Sequence, residues 1–397
     1  MSDDQRMTSR NHVIVAGAGP VGLTAALLLA DAGIPVTVVE KRPELSAASK
    51  ASTFHPPTLA ILHHLGVLDA VRDRGEVVRR LQYRTATDGI FAEFSLDALR
   101  GETDFPYRLH LEQAQVTPLL LDRLRGHAHA RALFDAELLG VVPEGDGVTA
   151  RILRHGAGET IAGAYLVGAD GSRSDVRRAL GIAFEGEDYP DKILRVMTDD
   201  DLDALLPGIA PVTYLFNGSK SVSFLRMRDC WRIILRVAKD VDDATALAPD
   251  WILARLREVI PHCERLPAVV IKDIYGVSRR VAASYRAGRV VLAGDSAHVT
   301  NTRGGMNMNC GLHDAFAIAA AIVRALHGEG PGVVAAAADL RRHVATEMLI
   351  PRTDRNVAGG EKWLDQVRSM AADPAQALAY LRTTAMLDMT AAPPASR

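Results

Sequence analysis

The strongest constraint on the fold lies near the start of the chain, where an apolar run leads directly into three closely spaced glycines. Residues 12–16 are rich in β-branched side chains, which is typical of a buried parallel strand. Gly17, Gly19 and Gly22 follow in the spacing G-x-G-x-x-G. Gly17 permits a tight turn, Gly19 lets the backbone approach a pyrophosphate, and Gly22 allows helix and strand to pack closely. The stretch therefore predicts a strand, a phosphate-binding turn and a helix.

The residues after the glycines complete the same unit. Residues 23–32 predict a helix that ends at Gly33, and residues 35–39 predict a second strand. Glu40 lies eighteen residues past Gly22, where a carboxylate can accept hydrogen bonds from both ribose hydroxyls. A strand before the glycines, a helix after them and an acid at this distance favour dinucleotide binding over a purely structural glycine turn.

Length and charge narrow the class of protein further. The chain has 397 residues and a formal net charge of −2, so it can form two or three domains and has no basic footprint for nucleic acid. Its three cysteines are too few and too scattered for a disulfide framework or a C-x-x-C metal site, which predicts a cytoplasmic location. The polar first eleven residues and the lack of a long apolar run predict neither a signal peptide nor a membrane partner.

The rest of the chain predicts an interrupted α/β fold. Residues 81–94 alternate around Asp88-Gly89, a hairpin signal, and residues 193–237 predict an antiparallel meander. Buried strands return at residues 165–169 and 290–293. We predict a Rossmann-type dinucleotide-binding domain, an inserted antiparallel β-sheet domain and C-terminal helices. The predicted boundaries are 1–80, 107–187 and 288–350 for the first domain, 81–106 and 188–287 for the sheet domain, and 351–397 for the helices.

Three separated motifs resemble those of the single-component FAD-dependent aromatic hydroxylases, the flavoprotein monooxygenase family of p-hydroxybenzoate hydroxylase. The first is the glycine motif with Glu40. The second is DGSRSDVR at residues 170–177, which resembles the D-G motif of the family. The third is GDSAH at residues 294–298, followed by GGMNMN at 304–309 and by Asp314-Ala315. Their order and spacing match the family over most of the chain.

The resemblance implies a monooxygenase with bound FAD and no metal. It implies that NAD(P)H and O2 are used to hydroxylate a small phenolic or heteroaromatic substrate through a C4a-hydroperoxyflavin, with NAD(P)H as co-substrate. A reductase or dehydrogenase of the same fold and a nucleotide-binding module without turnover are the alternatives. The chain is expected to act as a monomer or homodimer.

The residues that the resemblance assigns to FAD lie in the three motifs and between them. Asp295 ends a strand and can accept from a ribityl hydroxyl or cap the following stretch, and the amides of residues 306–309 can stabilise negative charge on the flavin. Asp170 either contacts a ligand or only holds its own loop. The full set of predicted FAD-binding residues is Gly17, Gly19, Pro20, Val21, Gly22, Glu40, Lys41, Lys50, Gln113, Asp170, Gly294, Asp295, Gly305, Met306, Asn307, Met308 and Asn309.

The third motif also departs from the family pattern. The family commonly carries a Pro-Pro pair beside the reactive face of the flavin, where this chain has Asn301-Thr302, and Asn307 replaces a glycine. We expect the flavin site to survive both changes, whereas the surroundings of the oxygen adduct differ.

Candidate substrate residues lie on the inserted sheet and beside the first motif. Tyr214 and Arg226 occupy positions that resemble substrate-facing ones in the family. By alternation Arg226 and Arg228 share one face, which either lines the cavity and pairs with a substrate carboxylate or phenolate, or faces solvent. His55 is a candidate for handling a phenol proton, with a structural histidine as the alternative. We predict His55, Tyr214 and Arg226 as the residues that act on the substrate.

Overall fold

The computed structural model describes residues 11–48, 51–218, 220–358 and 360–390 of the chain. These residues form a mixed α/β protein with four β-sheets. In chain order the strands are β1 (Val13–Ala16), β2 (Val36–Val39), β3 (Thr53–Phe54), β4 (Glu76–Val78), β5 (Arg80–Thr85), β6 (Gly89–Ser95), β7 (Arg108–His110), β8 (Ala130–Leu133), β9 (Ala136–Glu144), β10 (Gly147–Arg154), β11 (Ala157–Gly163), β12 (Tyr165–Gly168), β13 (Phe184–Thr198), β14 (Val212–Asn217), β15 (Lys220–Arg226), β16 (Trp231–Ala238), β17 (Val269–Ala282), β18 (Arg286–Ala287), β19 (Val290–Leu292) and β20 (His298–Val299).

The helices join these strands and form the C-terminal part of the chain. In chain order they are α1 (Pro20–Asp31), α2 (Pro56–His64), α3 (Leu68–Arg74), α4 (Gln113–Arg125), α5 (Asp175–Ala179), α6 (Asp243–Ala246), α7 (Pro249–Arg257), α8 (Asn307–Arg324), α9 (Gly332–His343), α10 (Ile350–Ala358), α11 (Glu361–Ala372) and α12 (Pro374–Thr384).

The first sheet is the one predicted from the glycine motif. Its order is β18-β19-β12-β1-β2-β8, and all neighbours run parallel except the edge pair β18–β19. Strand β1 lies near the centre and is fully buried, as its continuous apolar run requires. The carboxyl ends of β1, β12 and β19 lie along one edge, where ligands bind in open α/β sheets.

The second large sheet faces that edge. Its order is β20-β17-β13-β16-β15-β14-β5-β6, and every neighbouring pair is antiparallel except β14–β5. One face packs a hydrophobic core under α7 that includes Leu194, Phe224, Ile233 and Leu235. The alternate residues of the same strands point to the opposite face, which is therefore free to line a cavity. The hairpin and meander predicted from the sequence are both present.

One predicted helix begins later than expected. The apolar pattern of residues 109–125 predicts a helix, but Leu109 belongs to β7 and pairs with Phe54 of β3 and Val77 of β4. Strand β7 thus pairs with β3 on one side and with β4 on the other, in a small three-stranded sheet. These pairs satisfy backbone N–H and C=O groups, whereas the first turn of a helix would leave its N–H groups without partners. Helix α4 begins only at Gln113.

The C-terminal helices pack against the outer strands of the large sheet. Trp363 and Val367 of α11 and Leu381 of α12 join Tyr83 and Phe94 of β5 and β6 in one hydrophobic cluster. The sequence alone is compatible with these helices either capping the active site or forming a dimer face. In the structure they cover the edge of the large sheet and reach the cavity described below.

One helical stretch, Asn307–Glu329, is long and apolar enough to cross a bilayer when judged by length and composition alone. It consists of α8 and the turn that follows it. Over half of its most apolar window, 56%, is buried inside the protein, and the helix carries the buried polar residues His313 and Asp314. A core helix passes the same test, so this stretch is weak evidence for a membrane span.

Candidate functional site

A cavity of about 410 Å³ lies between the carboxyl edge of the parallel sheet and the large antiparallel sheet. Its walls include the start of α1, the turn before α8, and one face of the large sheet. A volume of this order is typical of a pocket for an organic ligand.

The three positions of the first motif require glycine for different structural reasons. Gly17 has a φ of +102°, and a Cβ atom there would lie 2.4 Å from the carbonyl oxygen of Ala169. A Cβ atom at Gly22 would lie 2.0 Å from the carbonyl oxygen of Gly17. A Cβ atom at Gly19 would meet no atom within 4 Å, although Gly19 lies on the cavity wall with Pro20. Packing therefore explains Gly17 and Gly22, whereas the absence of a side chain at Gly19 leaves room for a ligand.

This difference gives a direct test of the glycine turn. We expect Gly19→Ala to leave the midpoint of urea unfolding of the flavin-free protein unchanged and to weaken FAD binding by at least about tenfold, or about 1.4 kcal/mol. The added methyl group would project into space that only a ligand fills. Flavin fluorescence titration measures the affinity, and Gly101→Ala, also in open space but outside the cavity, is the matched control. Equal FAD affinity of both variants would contradict the assignment.

The acid after β2 holds the glycine turn in place. Glu40 accepts hydrogen bonds from the backbone N–H of Ala18 at 2.9 Å and of Arg42 at 3.0 Å. Lys41, a predicted FAD residue, is directed away from the cavity and pairs with Asp175 at 3.5 Å. Arg42 lines the cavity instead. Sequence reasoning missed Arg42, although its position two residues past Glu40 was an available signal.

The second motif holds its own loop. Asp170 accepts hydrogen bonds from the Ser174 hydroxyl at 2.6 Å and from the Val176 N–H at 3.0 Å, and burial raises its pKa. Its neighbours Ala169 and Gly171 line the cavity, but Asp170 itself does not. The geometry thus supports the loop-holding alternative for Asp170. Gln113, at the start of α4, does line the cavity, and Lys50 lies outside the described residues.

The turn before α8 forms the opposite end of the cavity. Gly305, with a φ of +63°, lies so close to Thr53 that a Cβ atom would be 2.8 Å from the Cβ of Thr53. The turn leads into α8, whose first residue is Asn307. The cavity wall here consists of Asp295, Gly304, Gly305, Met306, Asn307 and Met308. The positive end of the α8 dipole therefore points at this wall. Gly294 lies behind the wall, because its Cα packs against α8 and α1.

Two predicted site residues brace this turn from behind. Asn309 donates to the carbonyl oxygens of Thr53 at 2.8 Å and Gly305 at 2.6 Å and accepts from the His55 N–H at 2.9 Å. His55 Nε2 donates to the carbonyl oxygen of Gly304 at 2.8 Å. Burial and the nearby charge of Arg108 lower the pKa of His55 well below its usual value. Neither side chain lines the cavity, which favours the structural alternative for His55 over the prediction that it handles a substrate proton.

A hydrogen-bonded chain runs from the cavity wall into the core. Asn307 Nδ2 donates to Asp295 at 2.8 Å, which turns Asn307 Oδ1 toward Nδ1 of His298, 3.1 Å away. His298 Nε2 lies 2.9 Å from a carboxylate oxygen of Asp314. Because both ring nitrogens face acceptor oxygens, His298 carries two protons and a positive charge. Burial acts to lower its pKa, but Cys310 and Asp314 raise it well above the usual value.

Asp314 lies between two buried cations. Its second carboxylate oxygen accepts from Nε of Arg341 at 2.7 Å, and both residues are almost fully buried. Burial would raise the pKa of Asp314, but Arg341 and His298 lower it to about 2. His298, Cys310 and Asp314 have the spacing of a metal site, yet Arg341 donates to both Asp314 and the Cys310 sulfur. These acceptor atoms are thus already engaged by a guanidinium.

The large sheet places Tyr214, but not Arg226, on the cavity wall. Tyr214 is 7% exposed, and Leu225 of the neighbouring strand lies on the same wall. Arg226 points to the opposite face, with its guanidinium 5.5 Å from the ring centre of Trp231. The prediction that Arg226 pairs with a substrate anion in the cavity is therefore corrected. The predicted alternation of β15 is present, but Leu225 faces the cavity and Arg226 faces the other side of the sheet.

The cavity contains arginines and aromatic residues that the sequence did not reveal. Arg232, Arg236 and Arg303 line it, and a smaller adjoining cavity beside Tyr214 and Arg303 is closed by side chains from the C-terminal helices. The side chains that surround this smaller cavity include Tyr83, Trp363, Tyr380 and Thr384. Arg232 and Arg236 alternate with the core residues Ile233 and Leu235, so the sequence pattern could have placed them on the opposite face of the strand. No local sequence pattern connects residue 380 with β5.

The comparisons with known proteins agree with this geometry. Residues 10–352 match the family described as FAD binding domain. The chain is 29% identical to 6-hydroxy-3-succinoylpyridine 3-monooxygenase HspB of Pseudomonas putida (strain DSM 28022 / S16), over 92% of this chain and 95% of that protein. It is 28% identical to para-nitrophenol 4-monooxygenase of Pseudomonas sp. (strain WBC-3), over 93% and 90%.

Solved structures give the same result. The crystal structure of p-nitrophenol 4-monooxygenase PnpA from Pseudomonas putida DLL-E4 matches with a TM-score of 0.86 and 25% identity, over 95% of this chain and 97% of that chain. The ternary complex of aklavinone-11 hydroxylase with FAD and aklavinone matches with a TM-score of 0.73 and 30% identity, over 87% and 68%. The expected fold, the cofactor FAD and the class of flavin-dependent monooxygenase are confirmed. The chain therefore belongs to the FAD binding domain family, together with the flavin-dependent aromatic hydroxylases.

Proposed function

We propose that this enzyme hydroxylates a small phenolic or heteroaromatic substrate, with NAD(P)H as hydride donor and O2 as the source of oxygen. The observation that carries the proposal is the continuous cavity from Gly19 at the start of α1, past the start of α8, to Tyr214 on the large sheet. HspB and para-nitrophenol 4-monooxygenase match this chain over nearly their whole length. Their names include a small pyridine and a small phenol, which supports a substrate of similar size here.

The residues around the cavity fit FAD at two ends. Gly19, Pro20 and Val21 at the start of α1 would hold the pyrophosphate, and Gln113 lies on the same wall. Asp295 and the backbone of residues 305–308 would hold the ribityl chain and the flavin ring. When bound, FAD supplies the redox chemistry, namely acceptance of a hydride and activation of O2.

The protein contributes a positive electrostatic environment at the flavin end. The α8 dipole directs its positive end toward Met306 and Asn307, and the charged ring of His298 lies directly behind Asn307. Both would stabilise negative charge in this part of the cavity. The C-terminal helices exclude water from the side of Tyr214 with Trp363 and Tyr380.

Two further expectations accompany this proposal. We propose the domain boundaries given above, with the large sheet carrying the substrate side of the cavity. A cytoplasmic location is supported by Cys230, Cys263 and Cys310, which are all free thiols.

The function is tested with purified, FAD-loaded protein. Phenolic and heteroaromatic acids are screened for faster NAD(P)H oxidation with matching O2 uptake, and products are analysed by mass spectrometry for the gain of one oxygen atom. We expect at least one compound to give all three signals. NAD(P)H oxidation without oxygen insertion for every compound would favour a reductase, and failure to bind FAD would reject both functions.

A further inference from the structure

Arg303 lies where the two cavities meet. It belongs to the turn before α8 and lines both the large cavity and the smaller one under the C-terminal helices. Its guanidinium carbon is 5.8 Å from the ring centre of Tyr214 and 5.6 Å from that of Phe216. The charge is thus held beside the aromatic wall where a substrate ring would pack.

The guanidinium has few protein partners. Nη2 donates to the Ser221 hydroxyl at 2.6 Å, and Nη1 makes a long contact of 3.4 Å to the carbonyl oxygen of Asn356. Arg303 carries five N–H donors. Among the described residues, no carboxylate lies within ion-pair distance of Arg303, although most arginines held inside proteins have such a partner. Donors therefore remain available toward the cavity.

The neighbouring charges increase the positive potential. Arg236 faces the same cavity, and its ion pair with Asp191 is long, at 3.7 Å. Burial, together with the charge of Arg236, lowers the pKa of Arg303 to about 10, so it stays protonated at neutral pH. Arg232 on the same wall is paired with Glu112 at 3.3 Å. Two arginines with little local compensation favour a bound anion.

We propose that Arg303 is the anion-binding residue of the substrate site and that the substrate is an aromatic ring bearing one oxyanion, either a carboxylate or a phenolate. The ring packs against Tyr214, and the oxyanion accepts charge-assisted hydrogen bonds from Arg303. This proposal rests on the proposed function, because it names the substrate class of the same cavity. It replaces Arg226, which the sequence suggested for this role, with a residue of the loop that departs from the family pattern.

The test measures ligand dissociation constants of the FAD-loaded protein through changes in the flavin spectrum. One pair of probes is 4-hydroxybenzoate and neutral 4-hydroxybenzamide, and the other is ionised 4-nitrophenol and neutral 4-nitroaniline. The pair that shows the stronger preference for the anion distinguishes carboxylate from phenolate. The variants are Arg303→Gln, which removes the charge, and Arg303→Lys, which keeps the charge but loses the planar fork. Arg226→Gln, at the end of β15 and outside the cavity, is the matched control.

We expect Arg303→Gln to weaken binding of the anionic probe by about tenfold to a hundredfold and to change binding of its neutral partner little. Arg303→Lys should recover part of the preference, and Arg226→Gln should keep all of it. The proposal is overturned if both Arg303 variants weaken charged and neutral probes equally, which indicates a role in holding the loop. It is also overturned if the unaltered, FAD-loaded protein binds neither anionic probe at millimolar concentration. Loss of FAD binding by the unaltered protein would instead reject the proposed function.

Discussion

Asp314→Ala is expected to lower the free energy of unfolding by about 3–5 kcal/mol, since removing one member of a buried ion pair leaves an uncompensated charge. Asp314 compensates both His298 and Arg341, and all three side chains are at most 1% exposed. Without the carboxylate, His298 would lose its proton, but Arg341 would stay charged in the core. The Gly294 N–H, which donates to Asp314 at 3.1 Å, would lose its partner as well.

Urea unfolding of the flavin-free protein measures this effect. Asp314→Asn distinguishes the effect of the lost charge from that of the lost side chain, because asparagine has nearly the same shape and keeps an acceptor oxygen but carries no charge. We expect this variant to be strongly destabilised as well. Asp365→Ala is the control, since it removes an exposed partner that lies 3.7 Å from Arg368 and should cost at most about 1 kcal/mol. A loss below about 1 kcal/mol in Asp314→Ala would show that the buried charges are solvated in some other way.

The elements of this fold that can be predicted from the sequence are those determined by residues close to one another along the chain. Strand β1, the turn at Gly17 and helix α1 follow from residues within twenty positions of one another, and the structure contains all of them. The hairpin around Gly89 and the meander around Gly218 are equally local, because each turn has a residue with positive φ. The third motif could be placed from its order and spacing in the family.

The unpredicted part depends on which face of an element meets the rest of the protein. Alternation places Arg226 and Leu225 on opposite faces, but the pattern does not state which face packs under α7. Phe224 has the same parity as Arg226 and belongs to that core, so Leu225 faces the cavity. The contact between Tyr83 and Tyr380, whose hydroxyls are 2.5 Å apart, joins residues almost three hundred positions apart and has no sequence signal.

Mildly acidic pH is expected to destabilise the protein through the buried neutral histidines His55, His110 and His313, and burial lowers the pKa of His55 well below its usual value. Burial, with Arg108 and Arg232 nearby, lowers the pKa of His110 to about 4. Burial and Arg341 lower the pKa of His313 to about 3. In the unfolded chain each would titrate near the ordinary value of about 6.5. Between about pH 6.5 and pH 4 the unfolded state therefore binds more protons, and the free energy of unfolding falls as the pH falls.

The size of this effect follows from proton linkage. Each histidine removes up to about 1.4 kcal/mol per pH unit, so the three together remove up to about 4.1 kcal/mol per unit below pH 6.5. His298 does not offset this loss, because its raised pKa gives a contribution that is already complete below pH 6.5 and is lost only as the pH rises through its folded value. Asp314 adds to the loss only below about pH 5, as it becomes protonated in the unfolded chain around pH 3.8.

Urea unfolding at several pH values between 7 and 5, at constant ionic strength, measures the slope. His313→Gln removes one titrating group while keeping an amide that can hydrogen-bond Thr58, whose hydroxyl lies 3.1 Å from His313. We expect this variant to be less stable at pH 7 but to lose about a third of the pH dependence, whereas the exposed His327→Gln should keep all of it. A flat profile for the unaltered protein, or an unchanged slope in His313→Gln, would mean that these histidines already carry protons in the folded core.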